Sequence, residues 1–361
     1  MPEIEFKCPE CSKFVTSDDS LCGESFTCPS CLSEINIPIP GLEKGVKLGD
    51  FELIEQLGSG SMGEVWLAYQ ETMDRKVALK ILAPKYASDT KFIDRFMGEV
   101  KYSAKLSHPN IITAFYAGTD KGHYYLAITY IVGKTVGEIQ QEKGIFDEKE
   151  ALKIVLSILN ALEYAWNEFK MLHRDVKPGN IMINKNGDAM LLDMGIAKSL
   201  DQEADLTMTG TVLGTPYYIS PEQATAMSDI DFRADIYSLG TTLYHMVTGT
   251  VPYNATTAMA IIMKHLNNNF PPPREHNPDL SPECATLIEI MMSKERENRQ
   301  TSWEVLRRDI KLVMNGEMPK TPLSSDETVI AEQPGTNSEE KSKMNTTASS
   351  KKSHIIYISL I

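Results

Sequence analysis

Basic residues are in deficit in this chain: 36 lysines and arginines stand against 49 aspartates and glutamates, a net charge of −13. Non-specific nucleic-acid binding needs a basic face that displaces counterions from phosphates, so this balance argues against a nucleic-acid partner. The amino terminus lacks the apolar core of a signal peptide. It opens Met1-Pro2-Glu3-Ile4-Glu5, and a cytoplasmic location is expected. Long apolar runs are missing as well. The terminal run from His354 to Ile361 follows Lys351-Lys352 like the start of a membrane span, but spanning takes about 20 apolar residues. A protein off the membrane is the favoured reading, with tethering through an incomplete C-terminal apolar segment as the alternative. From about Gly316 onward Ser, Thr, Lys, Glu, Pro and Asn dominate. Such a stretch buries too little surface to offset the entropy of ordering, so residues 315 to 361 are expected to form a disordered tail.

Cysteine is scarce, at 6 residues, and its placement is informative. Cys8-Pro9-Glu10-Cys11 and Cys28-Pro29-Ser30-Cys31 form two C-x-x-C pairs at a spacing read as a zinc site. Each knuckle can aim backbone amides at its thiolates, and two knuckles complete a tetrahedron with no open position, so the metal would be structural Zn²⁺. Disulfides are the alternative, disfavoured in a reducing compartment. Cys22 is surplus and reads as a small, partly buried residue; Cys284 reads as core. Residues 1 to 40 resemble a zinc ribbon. Alternation over residues 26 to 40 predicts one short hairpin, and Ile37-Pro38-Ile39-Pro40-Gly41 begins a linker over residues 41 to 50.

At 361 residues and 42% hydrophobic, the chain has room for a large core beside such a module. The run His173-Arg174-Asp175-Val176-Lys177-Pro178-Gly179-Asn180, followed by Asp193-Met194-Gly195, carries a base, a phosphate-binding cation and two hard-oxygen metal ligands. Phosphoryl transfer needs that set, because its loose transition state asks the protein for positioning and charge neutralisation. Upstream, Leu57-Gly58-Ser59-Gly60-Ser61-Met62-Gly63-Glu64-Val65 precedes Val77-Ala78-Leu79-Lys80. A lone G-x-G-x-x-G also occurs in dinucleotide-binding folds, but those place a helix directly after the glycines, whereas residues 64 to 70 read as a strand.

In this order the motifs resemble those of the protein kinases, over about residues 51 to 314, and most resemble the bacterial eukaryotic-like Ser/Thr kinases. Gly214-Thr215-Pro216-Tyr217-Tyr218-Ile219-Ser220-Pro221-Glu222 is similar to the end of an activation segment, and Asp235-Ile236-Tyr237-Ser238-Leu239-Gly240 to the central C-lobe helix. Arg299 stands where the family places the partner of Glu222. The resemblance implies an α+β, two-lobe fold with a five-stranded antiparallel N-lobe sheet plus a helix and a mainly helical C-lobe, behind the small ribbon. The five strands are expected over residues 51–57, 64–70, 75–82, 111–118 and 123–130, and a buried helix over 151–166.

The resemblance also assigns roles. Asp175 would be the base, Lys177 would offset charge, and Asn180 and Asp193 would hold Mg²⁺ or Mn²⁺. Lys80, paired with Glu99, would bind the ATP phosphates. Ile128 would limit the adenine pocket, with Ala78 and the backbone of Thr129 and Ile131 around the base. Lys177 and Thr215 fit the Ser/Thr branch, so the acceptors would be Ser or Thr hydroxyls of proteins, the chain itself included. Arg174 implies an activation segment ordered by phosphate, for which Thr207, Thr209 and Thr211 are the candidates. Met194 replaces the usual Phe, an adaptable apolar substitute. A catalytically inactive scaffold or adaptor is the rival reading, and a kinase-domain homodimer is left open.

Overall fold

The computed structural model describes residues 3–60, 63–83, 86, 93, 105–193 and 216–323. Each Cys-Pro-x-Cys forms the turn of its own hairpin: β1 (Glu3–Lys7) pairs antiparallel with β2 (Phe14–Asp18), and β3 (Ser25–Thr27) with β4 (Glu34–Asn36). The hairpins are copies of one unit, with Phe6 opposite Val15 in the first and Phe26 opposite Ile35 in the second. Alternation is complete only in the second. In the first, Glu3-Ile4-Glu5-Phe6-Lys7 alternates as a half-buried strand should, but its partner β2 breaks the pattern, with Phe14 exposed and Ser17 buried. Ile37 is buried in the ribbon core, donates its N–H to Glu24 O at 3.0 Å and accepts from Gly23 N–H at 2.9 Å.

The N-lobe sheet has six strands in the order β5-β6-β7-β8-β10-β9, one more than expected. They are β5 (Lys47–Leu48), β6 (Phe51–Gly60), β7 (Gly63–Gln70), β8 (Arg75–Leu82), β9 (Ala114–Asp120) and β10 (His123–Thr129). β5 is too short for a periodicity to register, yet Leu48 is fully buried beside Phe51 and Leu53. β9 begins later than the apolar run at 111 implies, because Ile111 is drawn into the C-lobe core, where it bridges to Leu191. Strand alternation gives the sheet two distinct faces. Trp66, Ala68, Val77, Leu79, Ile81, Tyr125 and Ala127 pack on one face with Phe51 and Leu53. The registers Val65 to Lys80, Leu67 to Ala78, and Ile128 to Ala78 put those residues on the other.

The C-lobe begins with β11 (Gly133–Thr135) and α1 (Val136–Lys143), whose first turn is closed by a Thr135–Glu138 capping box. α2 (Glu148–Phe169) starts where the Asp147 side chain accepts two backbone N–H groups and stops at Lys170 in a left-handed conformation, φ 52°. β12 (Ile181–Asn184) and β13 (Ala189–Leu191) complete a three-stranded sheet with β11. Then come α3 (Pro221–Ala224), α4 (Arg233–Thr248), α5 (Ala258–Asn267), α6 (Pro273–His276), α7 (Pro282–Met291) and α8 (Trp303–Met314). α2 and α4 form the middle of one core with α7 and α8, to which Cys284 belongs. Among the described residues no helix is long and apolar enough to cross a membrane.

Candidate active site

The loop between α2 and β12 is held from behind by a carboxylate far along the chain. Asp235, in the first turn of α4 and buried, accepts the N–H of His173 and the N–H of Arg174, both at 2.8 Å. Burial pushes the Asp235 carboxyl upward, and the nearby His173 and the two amides draw it back toward the charged form. His173 is itself buried. Its Nδ1 accepts from Asp175 N–H at 3.2 Å, which leaves Nε2–H to donate to Leu192 O at 2.8 Å. Gln223 of α3 donates to Arg174 O at 3.0 Å. Thus pinned, Arg174 adopts a left-handed φ of 62°, and burial lowers its guanidinium while Asp235 opposes that shift. Sequence reading named His173 and Asp235 only as parts of motifs; their hydrogen bonds join segments about 60 residues apart and leave no local signal.

This frame sets three functional groups in contact. Lys177 Nζ lies 2.8 Å from Asp175 Oδ2, and Asn180 Nδ2 donates to the same oxygen at 3.0 Å and to Asp175 O at 2.8 Å. With Nδ2 committed, Oδ1 is the Asn180 atom suited to a cation. Leu192 N–H donates to Asn180 O at 2.9 Å, tying the Asn180 turn to the residue before Asp193. Asp193 has φ 43° and meets Lys80 Nζ at 3.0 Å across the lobes. Strand β8 thus brings Lys80 to the C-lobe carboxylate.

Above these groups lies the sheet face of Val65, Ala78, Lys80 and Ile128. Gly63 opens β7 so close to its neighbour that a Cβ there would lie 1.9 Å from Ile81 O, whereas Gly58 and Gly60 have open space around them. Leu57, Ser59 and Glu64 lie with them in the β6–β7 hairpin, where Ser59 faces Glu64. Thr129 spends its N–H on Thr113 O at 2.9 Å, so the carbonyl is the group it has to offer a base. Ile131 follows after Tyr130, leading into β11. Ser61, Met62, Glu99, Met194, Thr207, Thr209, Thr211 and Thr215 lie outside the described residues.

The second cluster is in the ribbon. Cys8, Cys11, Cys28 and Cys31 bring their sulfurs within 4.8 Å of one another, with Cys8 to Cys31 at 3.7 Å and Cys11 to Cys28 at 3.8 Å. A tetrahedron with Zn–S near 2.3 Å has edges of about 3.8 Å. Ser12 (φ 59°) and Leu32 (φ 61°) turn the two knuckles in the same way. Hydrogen bonds from Ser33, side chain then backbone, lower the Cys31 thiol to about 6. Cys11 is raised to about 11: the Lys13 amide opposes the shift, and burial and the neighbouring sulfurs overcome it. Four sulfurs this close ionise together only around a cation. Cys22 stands apart from the cluster, buried.

Residues 51–310 match the model of the protein kinase domain. Over 281 residues the chain is 34% identical to the probable serine/threonine-protein kinase PknB of Bifidobacterium longum, covering 75% of this chain and 40% of that protein. It is 34% identical over 269 residues to the serine/threonine-protein kinase PrkC of Bacillus subtilis, covering 74% of this chain and 41% of the relative. The chain therefore spans about 40% of the length of these relatives. Among solved structures, the kinase domain of Mycobacterium tuberculosis PknI superposes with a TM-score of 0.62 at 26% identity, over 76% of this chain and all of that one. With the loop pinned on Asp235 and the Lys80–Asp193 contact across the lobes in the same chain as these matches, it belongs to the protein kinase family.

Proposed function

We propose that the chain transfers the γ-phosphoryl group of ATP to Ser or Thr hydroxyls of proteins, itself included. The observation that carries this reading is the contact set joining Lys80 to Asp193 and Asp175 to both Lys177 and Asn180. In the step, the acceptor oxygen forms a bond to the γ-phosphorus as the bond to the β–γ bridging oxygen breaks, and the hydroxyl proton passes to the Asp175 carboxylate. Lys177, already beside that carboxylate, offsets charge on the transferred group, and Lys80 holds the phosphates. Asn180 Oδ1 and the Asp193 carboxylate are hard oxygens that suit Mg²⁺ or Mn²⁺; when bound, the ion neutralises charge on phosphate oxygens. Ala78 and Ile128 would bound the adenine, and Glu99 would pair with Lys80. The Cys8, Cys11, Cys28 and Cys31 sulfurs have the spacing to hold a structural Zn²⁺.

Purified protein is expected to label itself and a generic basic protein from ATP only when Mg²⁺ or Mn²⁺ is supplied. Lys80→Met and Asp175→Asn should each lower the rate by roughly 10³-fold or more. Equal rates in the wild type and both variants would return the chain to the scaffold reading. Metal analysis of freshly purified, reduced protein should find one zinc per chain. Mass spectrometry should place autophosphorylation on Thr207, Thr209 or Thr211, whose phosphates would meet Arg174.

A further inference from the structure

Between β9 and β10 the chain turns through Asp120-Lys121-Gly122-His123, with Lys121 at φ 50° and Gly122 at φ 76°, the paired left-handed geometry of a tight hairpin. Asp120 engages the turn between β5 and β6, and the other three residues engage the chain that precedes the N-lobe sheet. Asp120 Oδ2 accepts Gly49 N–H at 2.8 Å. Lys121 Nζ lies 3.0 Å from Asp19 Oδ2, in the turn between the ribbon hairpins, both side chains being mostly buried. Gly122 lies so close to the ribbon that a Cβ would meet Cys22 O at 2.8 Å and the Ile39 side chain at 2.9 Å. His123 Nε2 is 2.9 Å from Pro40 O, an acceptor only, so that nitrogen carries the proton.

We propose that the β9–β10 turn is the seat of the ribbon, and that metal occupancy of the four-cysteine site is thereby coupled to the order of strand β10. The coupling rests on reading those cysteines as a metal site; the seat does not. The ribbon's side of the contact is made by Asp19, the Cys22 carbonyl, Ile39 and Pro40, all outside its strands. They are held in place by the Gly23–Ile37 and Ile37–Glu24 hydrogen bonds and by a core of Phe6, Val15, Ile35 and Ile37 wrapped on the cysteines. A module of this size has too little apolar core to keep that arrangement when the sulfurs lose their cation.

Release of the metal therefore takes away the partners of Lys121, Gly122 and His123 at once. β10 runs from His123 to Thr129, so one end of the strand sits under the ribbon and the other borders the proposed adenine pocket. Linkage makes the effect reciprocal: a seated ribbon must bind its metal more tightly than an unseated one.

The test uses the full chain with Asp19→Lys, Lys121→Glu and the double exchange. Two readouts are followed: amide hydrogen exchange over residues 118–126, and zinc release to a chromogenic chelator. Each single reversal is expected to speed both by roughly 5-fold or more, and the double exchange to recover most of the loss. Unchanged amide exchange in the single variants overturns the seat. Faster amide exchange with unchanged zinc release overturns the coupling. Wild-type protein that carries no zinc overturns the metal reading and the coupling with it, while the exchange data still decide the seat.

Discussion

Arg299 and Glu222 form a bidentate pair inside the C-lobe, Nη1 to Oε1 at 2.6 Å and Nη2 to Oε2 at 3.0 Å, with 0% and 4% of the side chains exposed. The remaining guanidinium hydrogens go to the carbonyls of Ser293, Arg233 and Lys294, so all five donors have an acceptor. Glu222 lies in the first turn of α3, and its neighbour Gln223 bonds Arg174 O. The pair therefore fixes a helix that in turn holds the loop carrying Asp175.

Removing only the cation leaves Glu222 buried and uncompensated. Arg299→Leu is expected to cost on the order of 3–5 kcal/mol of unfolding free energy. Arg299→Lys should recover little, because an ammonium cannot reproduce the planar fork. Denaturant unfolding of the three proteins measures this; a Lys variant as stable as wild type would mean that charge alone, without the fork, holds α3.

Gly63 differs from the other loop glycines. Its φ is 154° and the space of a Cβ is occupied by Ile81 O, whereas nothing lies within 4 Å of the Cβ position at Gly58. Gly63→Ala must push β7 from β8 and displace Val65 from its place opposite Lys80. It is expected to weaken nucleotide binding and lower thermal stability, while Gly58→Ala leaves stability nearly unchanged. Calorimetric titration with a non-hydrolysable ATP analogue and thermal unfolding separate the two; similar losses at both positions would remove the distinction.

What could be read from the sequence was local chemistry. The runs around Asp175 and Lys80 carry their meaning within a few residues, so the kinase fold was legible. β5 was not, since two residues show no period, and the first ribbon hairpin was obscured by its second strand, where Phe14 is exposed and Ser17 buried. The shift in β9 arises because Ile111 has an equally apolar destination in the C-lobe. The contacts of Asp235 with His173, and of the β9–β10 turn with the ribbon, join residues 62 and 102 positions apart (235 − 173 and 121 − 19). No window of sequence contains them.

Burial lowers His265 to about 3, and lowers His245 and His123 in the same direction. Their unfolded values are near 6.5, so below that pH the unfolded chain binds protons that the folded chain refuses, and stability rises with pH. The stabilisation is complete above pH 6.5 and is lost as pH falls, at about 1.4 kcal/mol per unit for each histidine until its folded value is reached. Between pH 6.5 and 5 the carboxylates contribute less, so the slope there reports the histidines. His265→Gln should flatten it by one histidine's share. Denaturant unfolding across that range tests this, and a pH-independent wild type would contradict it.

The carboxylate of Asp235 gives the most specific prediction, because it acts on the reacting groups through backbone alone. In Asp235→Asn the side chain can be oriented to accept from His173 N–H or from Arg174 N–H, but its NH₂ then faces the other donor. One buried amide loses its partner, at a cost of about 1–3 kcal/mol. The loop between His173 and Asp175 must shift to relieve it, moving the base relative to the acceptor hydroxyl. Lys80, Ala78 and Ile128 lie on the N-lobe sheet and are not tied to Asp235, so nucleotide binding should persist. The expected result is a kcat lower by about 10²-fold with the KM for ATP little changed, since displacements of about 1 Å carry that cost. A merely structural role would instead lower the amount of folded protein and leave kcat per folded molecule intact. Active-site titration alongside the rate measurement distinguishes the two, and an unchanged kcat per folded molecule would remove Asp235 from the positioning of Asp175.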